Sequence, residues 1–354
     1  MKKKALIIGN DRIVWIDICK GIAILFVVFQ HACGSIYKSG ISDSELLSKI
    51  ISFIGSFHMP LFMIISGYLF YHAYFQKEKS SEDRKIRNQV LNLCLLYLIY
   101  SILRIVFKII FSGEINQSID KWDIIMIPIE GIDELWYLHS LIIIYVILYF
   151  IIKIGGENQN LLIVLLSIFS LLYIISGYNA PFGFDKVIKY LLYFNLGVLA
   201  QKLFRRVNDF SKMVIAIQFV LGIALYMLSI EYIGSEYACR VVSVLIAVIL
   251  SDLCIKIGIC AYSSQMLFVQ KSDDWLGYIG QHTLEIYLLH VYCTSGLRGL
   301  IRILDFPVMV DIIILTTMGV VVPVIFSSLV RRMGVYNFVF KPIRLLDRLK
   351  TNGV

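Results

Sequence analysis

The chain contains 354 residues, of which 58% are hydrophobic and 16% are charged, and its formal net charge is +8. Soluble domains are about 45–50% apolar and about 25% charged, so this composition excludes a soluble globular enzyme, a secreted disulfide scaffold and a disordered chain. Runs of about 20 apolar residues instead predict an all-α integral membrane protein built as a single bundle of membrane-spanning helices.

Ten segments are long and apolar enough to span a membrane. In chain order they are predicted at about 13–33, 50–74, 90–112, 135–154, 160–177, 186–204, 212–231, 238–260, 276–298 and 309–330. Residues 1–12 are basic, with too short an apolar stretch for a cleavable signal peptide, and are predicted to be a cytoplasmic tail. Residues 13–330 are predicted to form one domain, which a basic cytoplasmic tail at 331–354 follows.

The distribution of basic residues predicts the orientation of the bundle. With the N-terminus in the cytoplasm, the inner segments contain 22 Lys and Arg residues and the outer segments contain 8. The other three, Lys20, Arg104 and Lys108, fall within spans. Because positively charged loops stay in the cytoplasm, both termini are predicted to be cytoplasmic. The positive charge therefore indicates orientation in a membrane and not nucleic-acid binding.

The first span contains two charged residues, Asp17 and Lys20, in an otherwise apolar helix. Each charge costs about 2.5–3.5 kcal/mol on insertion scales, and pairing three residues apart reduces that cost. One interpretation is an ion pair that only anchors the end of the helix. The other is a pair that takes part in function.

His31 favours the functional interpretation because it shares a helix face with Lys20. Eleven residues at about 100° each make three turns plus about 20°, and the rise between the two residues is about 16 Å. The face between them carries Ile24 and Val27, with Ala23 at its edge. A cation near the inner end, an apolar groove and an imidazole near the outer end suit a long, thin ligand with an anionic head.

Four of the six histidines are predicted to lie in the outer half of the bundle, on four different spans. They are His31, His58, His139 and His290. No two are close in sequence and no carboxylate lies within a turn of them, so no metal site is predicted. An imidazole titrates near neutrality, which favours general-base catalysis. The alternative is that each is a hydrogen-bonded core residue, and His72 and His282 fall towards the cytoplasm.

The inner loop after the second span places Arg84 and Arg87 three residues apart, on one face of a helix. Paired guanidinium groups bind phosphate through bidentate hydrogen bonds, so the pair predicts phosphate binding. The ordinary excess of positive charge on the inner side is the alternative. The longest outer loop, at about 113–134, is acidic and either lines an acceptor site or is solvated.

The first two spans resemble the acyltransferase-3 family, bacterial integral-membrane acyltransferases that modify cell-surface glycans. The first helix of that family is similar to the pattern of Lys20, ten intervening residues and His31, preceded by Asp17. Its second helix is similar to FHMPLFMIISGYLF at 57–70. The resemblance covers essentially the whole chain, from about 12 to 330.

Two later stretches support the resemblance. LWYLHSL at 135–141 is similar to the branch of fucose 4-O-acetylase-like and enterobacterial-common-antigen acetyltransferases, and YIGQHTLEIYLLH at 278–290 resembles a late helix of the family. One residue departs from the pattern, because His139 stands where other branches carry a glutamate just after the tryptophan motif. The departure makes His139 a second candidate for the chemistry.

The resemblance implies a bundle of about ten helices, acyl-CoA as the cytoplasmic donor and a sugar acceptor on the outer side or on a lipid carrier. It also implies that His31 is the catalytic base and that Lys20 is the basic partner in the first-helix motif. Arg84 and Arg87 match the basic motif that is expected to meet the phosphates of the donor.

We therefore expect a membrane O-acetyltransferase of the bacterial inner membrane that transfers acetyl from acetyl-CoA to a hydroxyl of a cell-surface or lipid-linked glycan. His31 and Asp17 are expected to be catalytic, and Lys20, Arg84 and Arg87 to bind the donor. The residues expected to bind the acceptor or the developing oxyanion are Ser66, His139, His58 and His290. Membrane lipids are expected partners and a homodimer is one possible assembly, with no metal or nucleic acid.

The alternative function is that of a polytopic transporter or flippase for a small polar or lipid-linked substrate, with Asp17, Lys20 and the histidines as a proton relay. Transporters often contain repeated halves and paired broken helices, and neither is evident in the sequence. An inactive membrane domain that acts as a sensor or assembly partner is a third interpretation, against which the presence of both Lys20 and His31 argues.

Overall fold

The computed structural model of the chain describes residues 13–74, 79–110, 121–201, 211–231, 234–263, 267–304 and 306–343. Over these residues the backbone forms helices joined by turns and contains no strand. The tail predicted at 1–12, residues 113–120 of the acidic loop and residues 344–354 lie outside the described part of the chain.

The described residues contain fourteen α-helices. They are α1 (Val14–Lys38), α2 (Glu45–Gly55), α3 (His58–Tyr74), α4 (Lys79–Ile110), α5 (Lys121–Met126), α6 (Trp136–Gly155), α7 (Gln159–Ser176), α8 (Phe184–Leu199), α9 (Lys212–Glu231), α10 (Glu236–Ser263), α11 (Leu267–Gln281), α12 (Thr283–Leu304), α13 (Val308–Arg332) and α14 (Tyr336–Phe340). Short 3-10 turns precede and follow α6, at Asp133–Leu135 and Gly156–Asn158.

Seven stretches of the described residues are long and apolar enough to cross a membrane. They are Val14–Lys38, Glu45–Tyr74, Arg84–Ile110, Asp133–Ser176, Lys212–Glu231, Glu236–Ser263 and Val308–Arg332. The all-α integral membrane fold predicted from the composition is therefore confirmed.

The predicted spans and the observed helices differ at three places. The span predicted at 50–74 is divided at 56–57, between α2 and α3. The span predicted at 186–204 corresponds to α8, which has only 16 residues. The span predicted at 276–298 is broken at His282, where α11 ends and α12 begins. The number of ten spans and the cytoplasmic position of both termini stay predictions.

The chain divides into two compact units, the first containing Met1–Tyr68 and Leu196–Phe326 and the second containing Leu69–Asn195 and Ser327–Val354. In the first unit, α1 lies at the centre of the packing. Near its C-terminal end it contributes to a buried apolar cluster with α2, α12 and α13, whose members are Ala32, Cys33, Ile36, Leu47, Ile301, Ile312 and Leu315. Near its N-terminal end it packs against α10 and α11.

Glycines allow α10 and α11 to approach α1 closely. A Cβ added at Gly280 would overlap the carbonyl oxygen of Asp17, and one at Gly258 would overlap the Sγ of Cys19. On α1 itself, a Cβ at Gly21 would overlap the carbonyl oxygen of Leu276. Small residues at helix crossings are the usual way in which membrane helices bring their backbones together. These contacts fix the part of α1 that carries the charged pair.

The second unit contains α4 to α7 and most of α8. Its core includes an aromatic cluster in which the ring of Phe70 lies 4.9 Å from that of Tyr145 and 5.6 Å from that of Phe194, measured between ring centroids. The turn before α6 is tied to α4, because the hydroxyl of Tyr97 donates to the carbonyl oxygens of Ile127 at 2.5 Å and Glu130 at 2.9 Å.

Candidate active site

Asp17 and Lys20 form an ion pair in the N-terminal half of α1, as the sequence predicts. The Lys20 Nζ lies 2.8 Å from an Asp17 carboxylate oxygen. Asp17 is buried, whereas a quarter of the Lys20 side chain is exposed. The Lys20 side chain is therefore partly exposed, while its counter-charge is held inside the protein.

The face of α1 between Lys20 and His31 points into the protein. Ala23 and Ile24 are fully buried and Val27 is nearly so, whereas Lys20 and His31 at the two ends are half-buried. A cation, a buried apolar face and an imidazole therefore follow one another along α1, whereas the ligand groove predicted between them stays a prediction.

His31 contacts a second histidine from a distant part of the chain. Its ring centroid lies 5.0 Å from that of His290 on α12, and the two rings are arranged edge to face at 63°. His290 is fully buried, in contrast to the half-buried His31. Of the two imidazoles, His31 is the more exposed.

The hydrogen bonds of His290 define its neutral tautomer. Its Nδ1 lies 2.9 Å from the carbonyl oxygen of Ile286 and 2.8 Å from that of Tyr287. A carbonyl oxygen can only accept, so the hydrogen of the neutral ring is on Nδ1 and Nε2 is an acceptor nitrogen.

His58 lies at the break between α2 and α3. Its Nδ1 donates to the carbonyl oxygen of Ile54 at 2.7 Å, near the end of α2, in addition to the bond that this oxygen accepts from the Phe57 N–H at 3.3 Å. The hydroxyl of Ser251 on α10 donates to the carbonyl oxygen of Phe57 at 3.3 Å. The span predicted at 50–74 is therefore two helices, and His58 stabilises the turn between them.

His139 and Arg87 both lie in the second unit. The Nε2 of His139 donates to the carbonyl oxygen of Pro128 at 3.3 Å, and its ring packs against that of Tyr97.

Arg84 and Arg87 are exposed near the start of α4. Arg87 borders a cavity of about 270 Å³ between α4 and α6 that is otherwise lined by apolar and aromatic side chains. Ser66, in the first unit, is half-buried on α3.

A buried cluster of four charged residues in the second unit is missing from the sequence predictions. The Nε of Arg104 lies 3.0 Å from an oxygen of Asp133 and 3.4 Å from an oxygen of Glu134. The Nζ of Lys108 lies 2.6 Å from Asp133. The presence of Arg104 and Lys108 four residues apart in a predicted span indicated that acidic partners were needed. Helical spacing could not identify those partners, because they lie in a turn about 25 residues later in the chain.

No group of three or more His, Cys, Asp or Glu side chains within the described part of the chain is arranged to hold a metal ion. Of the three other histidines predicted to lie in the same half of the bundle, His290 is in ring contact with His31. His58 lies in the same unit but hydrogen-bonds to a helix end, and His139 belongs to the other unit.

Comparisons with known proteins identify the family. The family model described as an acyltransferase domain matches residues 13–330, which is most of the chain. Nodulation protein NolL from Sinorhizobium fredii (strain NGR234) is 46% identical over 62 residues, and nodulation protein NolL from Mesorhizobium japonicum is 43% identical over 60 residues. Each match covers 17% of this chain and 16% of the relative. No solved structure shows a significant match.

The family match contains the charged pair of α1, the two contacting histidines and the paired arginines of α4. It also contains the seven apolar stretches of the described residues that are long enough to cross a membrane, apart from the last residues of Val308–Arg332. The chain belongs to the acyltransferase-3 family, and its long apolar helices are those of a multi-pass membrane protein.

Proposed function

We propose that the protein is an O-acetyltransferase of the bacterial inner membrane that transfers acetyl from cytoplasmic acetyl-CoA to a hydroxyl of a cell-surface or lipid-linked glycan. The observation that carries the proposal is the side of α1 on which a partly exposed lysine, a buried apolar face and a half-buried imidazole follow one another. The similarity of residues 135–141 to O-acetylating branches of the family supports acetyl as the group transferred.

His31 acts as the general base in this proposal. Its neutral imidazole takes the proton of the acceptor hydroxyl while the hydroxyl oxygen attacks the carbonyl carbon of the thioester. The carbon–sulfur bond then breaks, and the proton passes to the departing thiolate to give an O-acetyl glycan and free CoA. General-base catalysis contributes about 10²–10⁴-fold to such reactions.

The donor is bound by the basic residues. Arg84 and Arg87 suit the phosphates of CoA, since guanidinium groups bind phosphate through paired hydrogen bonds. Lys20 supplies a further cation, and Asp17 holds it in place through the 2.8 Å ion pair. Asp17 cannot reach His31, because 14 residues of helix correspond to about 21 Å of rise. Its contribution to catalysis therefore runs through Lys20.

The acceptor and the developing oxyanion are assigned to polar side chains with hydrogen-bonding capacity. Ser66 carries a hydroxyl that can donate to an oxyanion. His58 and His139 each donate one ring nitrogen to a backbone carbonyl, which leaves the other nitrogen of a neutral ring as an acceptor suited to a sugar hydroxyl.

Mass spectrometry of surface polysaccharide from cells with and without the gene tests the function. We expect the polysaccharide to lose one acetyl group per modified unit when the gene is deleted, and to regain it when the wild-type gene is restored. Identical spectra from the two strains, with the protein present in the membrane of the first, would contradict an acetyltransferase acting on surface glycans.

Binding of the donor separates the enzyme from a transporter. The purified protein should gain thermal stability from acetyl-CoA and not from free sugars, because a ligand that binds only the folded state stabilises it. Stabilisation by sugars without any effect of acetyl-CoA would favour the transporter.

A further inference from the structure

The cavity of about 270 Å³ between α4 and α6 has no part in the transfer reaction proposed above. We propose that it is a binding site for one anionic phospholipid, with an acyl chain in the cavity and the phosphate of the headgroup at Arg87. The site lies within the second unit of the chain. It is independent of the acetyltransferase function, and it assigns Arg87 to a lipid phosphate, which leaves Arg84 for the phosphates of the donor.

One face of each helix forms a wall of the cavity. The wall from α4 contains Arg87, Val90 and Leu91, and the wall from α6 contains Val146, Tyr149 and Phe150. In both helices the spacing is three residues and then one, which places the side chains on the same side. The start of α4 therefore lies beside the end of α6, and the two helices run in opposite directions.

The lining of the cavity suits a hydrocarbon chain. Apart from Arg87, it consists of apolar and aromatic side chains. Ile86 is buried, whereas Leu91, Val146 and Phe150 are 43%, 37% and 53% exposed, so the cavity is bordered by apolar surface of the kind that faces lipid. A nucleotide base or a sugar would lose hydrogen bonds against such a lining, which costs free energy. An acyl chain has no hydrogen bonds to lose.

Two cations lie close to the cavity. Arg87 is exposed and borders it. The Nζ of Lys153, one turn beyond Tyr149 on α6, lies 4.8 Å from the centroid of the Tyr149 ring. Arg87 is near the start of the apolar stretch Arg84–Ile110, and Lys153 is in the last turn of α6. Both charges are therefore at the ends of apolar helices, where lipid headgroups lie.

The predicted orientation of the bundle places this end of α4 and α6 on the cytoplasmic side. Basic pockets between helices on that side bind anionic headgroups, and each Lys or Arg near the surface contributes about fivefold to the preference for an anionic lipid. A zwitterionic headgroup carries a positive group of its own, so the same cations attract it less. The charge at the cavity therefore favours phosphatidylglycerol over phosphatidylcholine.

Native mass spectrometry of the full chain in detergent tests the headgroup. The protein is mixed with equal amounts of phosphatidylglycerol and phosphatidylcholine that carry the same acyl chains, and the retained lipid is counted. We expect wild type to retain one phosphatidylglycerol with a preference of about 5–25-fold, and Arg87→Gln to lower that preference about fivefold. Lys85→Gln is the matched control, because Lys85 is an exposed cation of α4 that does not line the cavity, and it should behave as wild type.

Filling the cavity tests the position of the acyl chain. Val90→Phe places a ring in the cavity and keeps Arg87, so we expect it to retain less phosphatidylglycerol than wild type. Val106→Phe makes the same change at an exposed position of α4 outside the cavity and should retain lipid as wild type does. Thermal unfolding in detergent establishes that each variant is folded. If Val90→Phe does not fold, Val146→Phe fills the cavity from the side of α6.

Four outcomes would overturn the lipid site. They are equal retention of the two lipids by wild type, equal losses in Arg87→Gln and Lys85→Gln, unchanged retention in folded cavity-filling variants, and displacement of phosphatidylglycerol by acetyl-CoA, which would return Arg87 to the donor. A wild-type dimer that retains no lipid and that Val90→Phe dissociates would also overturn it, since a second copy would then fill the cavity. None of these measurements needs acetyl transfer, so failure of the proposed function would leave the lipid site standing.

Discussion

At the scale of single residues, the ion pair of α1 is the feature whose energetics can be tested most directly. Asp17 is buried next to Lys20 in a helix that is long and apolar enough to cross a membrane. Removing one partner of a buried pair leaves the other charge uncompensated, at a cost of about 3–5 kcal/mol. Removing both charges together avoids that cost.

We expect Asp17→Asn to lower the unfolding temperature and the double variant Asp17→Asn/Lys20→Met to recover much of the loss, although neither transfers acetyl at the wild-type rate. The measurement is thermal unfolding in detergent. Glu45→Gln is the control, since Glu45 forms a largely exposed pair with Lys49 on α2 and should have no measurable effect. A double variant no more stable than Asp17→Asn would contradict the account.

Which residue contacts could be predicted from the sequence depended on distance along the chain. The pairing of Asp17 with Lys20, and the shared face of Lys20 and His31, follow from the geometry of one helix and are confirmed. His31 and His290 are far apart in the chain. The sequence predicted that both lie in the outer half of the bundle, but it could not predict that their rings are in contact. The partners of Arg104 were missed for the same reason.

At the scale of helices, close crossings of α1 depend on glycine. A Cβ at Gly280 would overlap the Asp17 carbonyl oxygen, whereas one at Gly277, three residues earlier on α11, would lie at an ordinary 4.0 Å from Ile18. The backbone oxygen of a helix cannot move aside as a flexible side chain can. The two positions on one helix therefore differ sharply in their tolerance of a methyl group.

We expect Gly280→Ala to destabilise the protein by about 1–3 kcal/mol through overpacking and to reduce acetyl transfer, because the crossing holds the segment that carries the ion pair. Gly277→Ala is the matched control and should stay close to wild type in both. The measurements are thermal unfolding and transfer per folded protein. Equal stability of the two variants would contradict a close crossing at Gly280.

The turn before α6 is the second element whose anchoring can be tested. Arg104 and Lys108 on α4 both contact Asp133, with little of either cation exposed. We expect Asp133→Asn to lower the free energy of unfolding by about 3 kcal/mol, since two buried cations lose a shared counter-charge. Lys189→Met, which removes a more exposed pair with Asp185, should change it by about 0–1 kcal/mol. Similar effects of both variants would show that burial of the cluster contributes nothing.

Helix boundaries were harder to predict than helical content. Hydropathy over about 20 residues identifies a span but not a turn inside it. The sequence therefore predicted one continuous helix where the structure has a break at 56–57 and another at His282. Pro60 falls in the first turn of α3, where a missing N–H costs nothing. That proline was the local signal for the first break.

At the scale of the whole molecule, composition alone predicts the all-α membrane fold, and the structure and the family match confirm it. The division of the chain into two compact units was not predicted, because hydropathy carries no information on which spans pack together. Motif resemblance predicted the family, whereas acetyl-CoA, the glycan acceptor and the roles of the site residues stay proposals.

The central claim is that the chain transfers acetyl from acetyl-CoA by using His31 as the base. Its most direct test is incorporation of radiolabelled acetyl into the glycan fraction of membranes that contain wild-type protein, His31→Ala or His72→Ala, each normalised to folded protein. We predict that wild type and His72→Ala incorporate label equally and that His31→Ala falls about 100-fold or more. Correctly folded His31→Ala that keeps more than about a tenth of wild-type incorporation would contradict the claim.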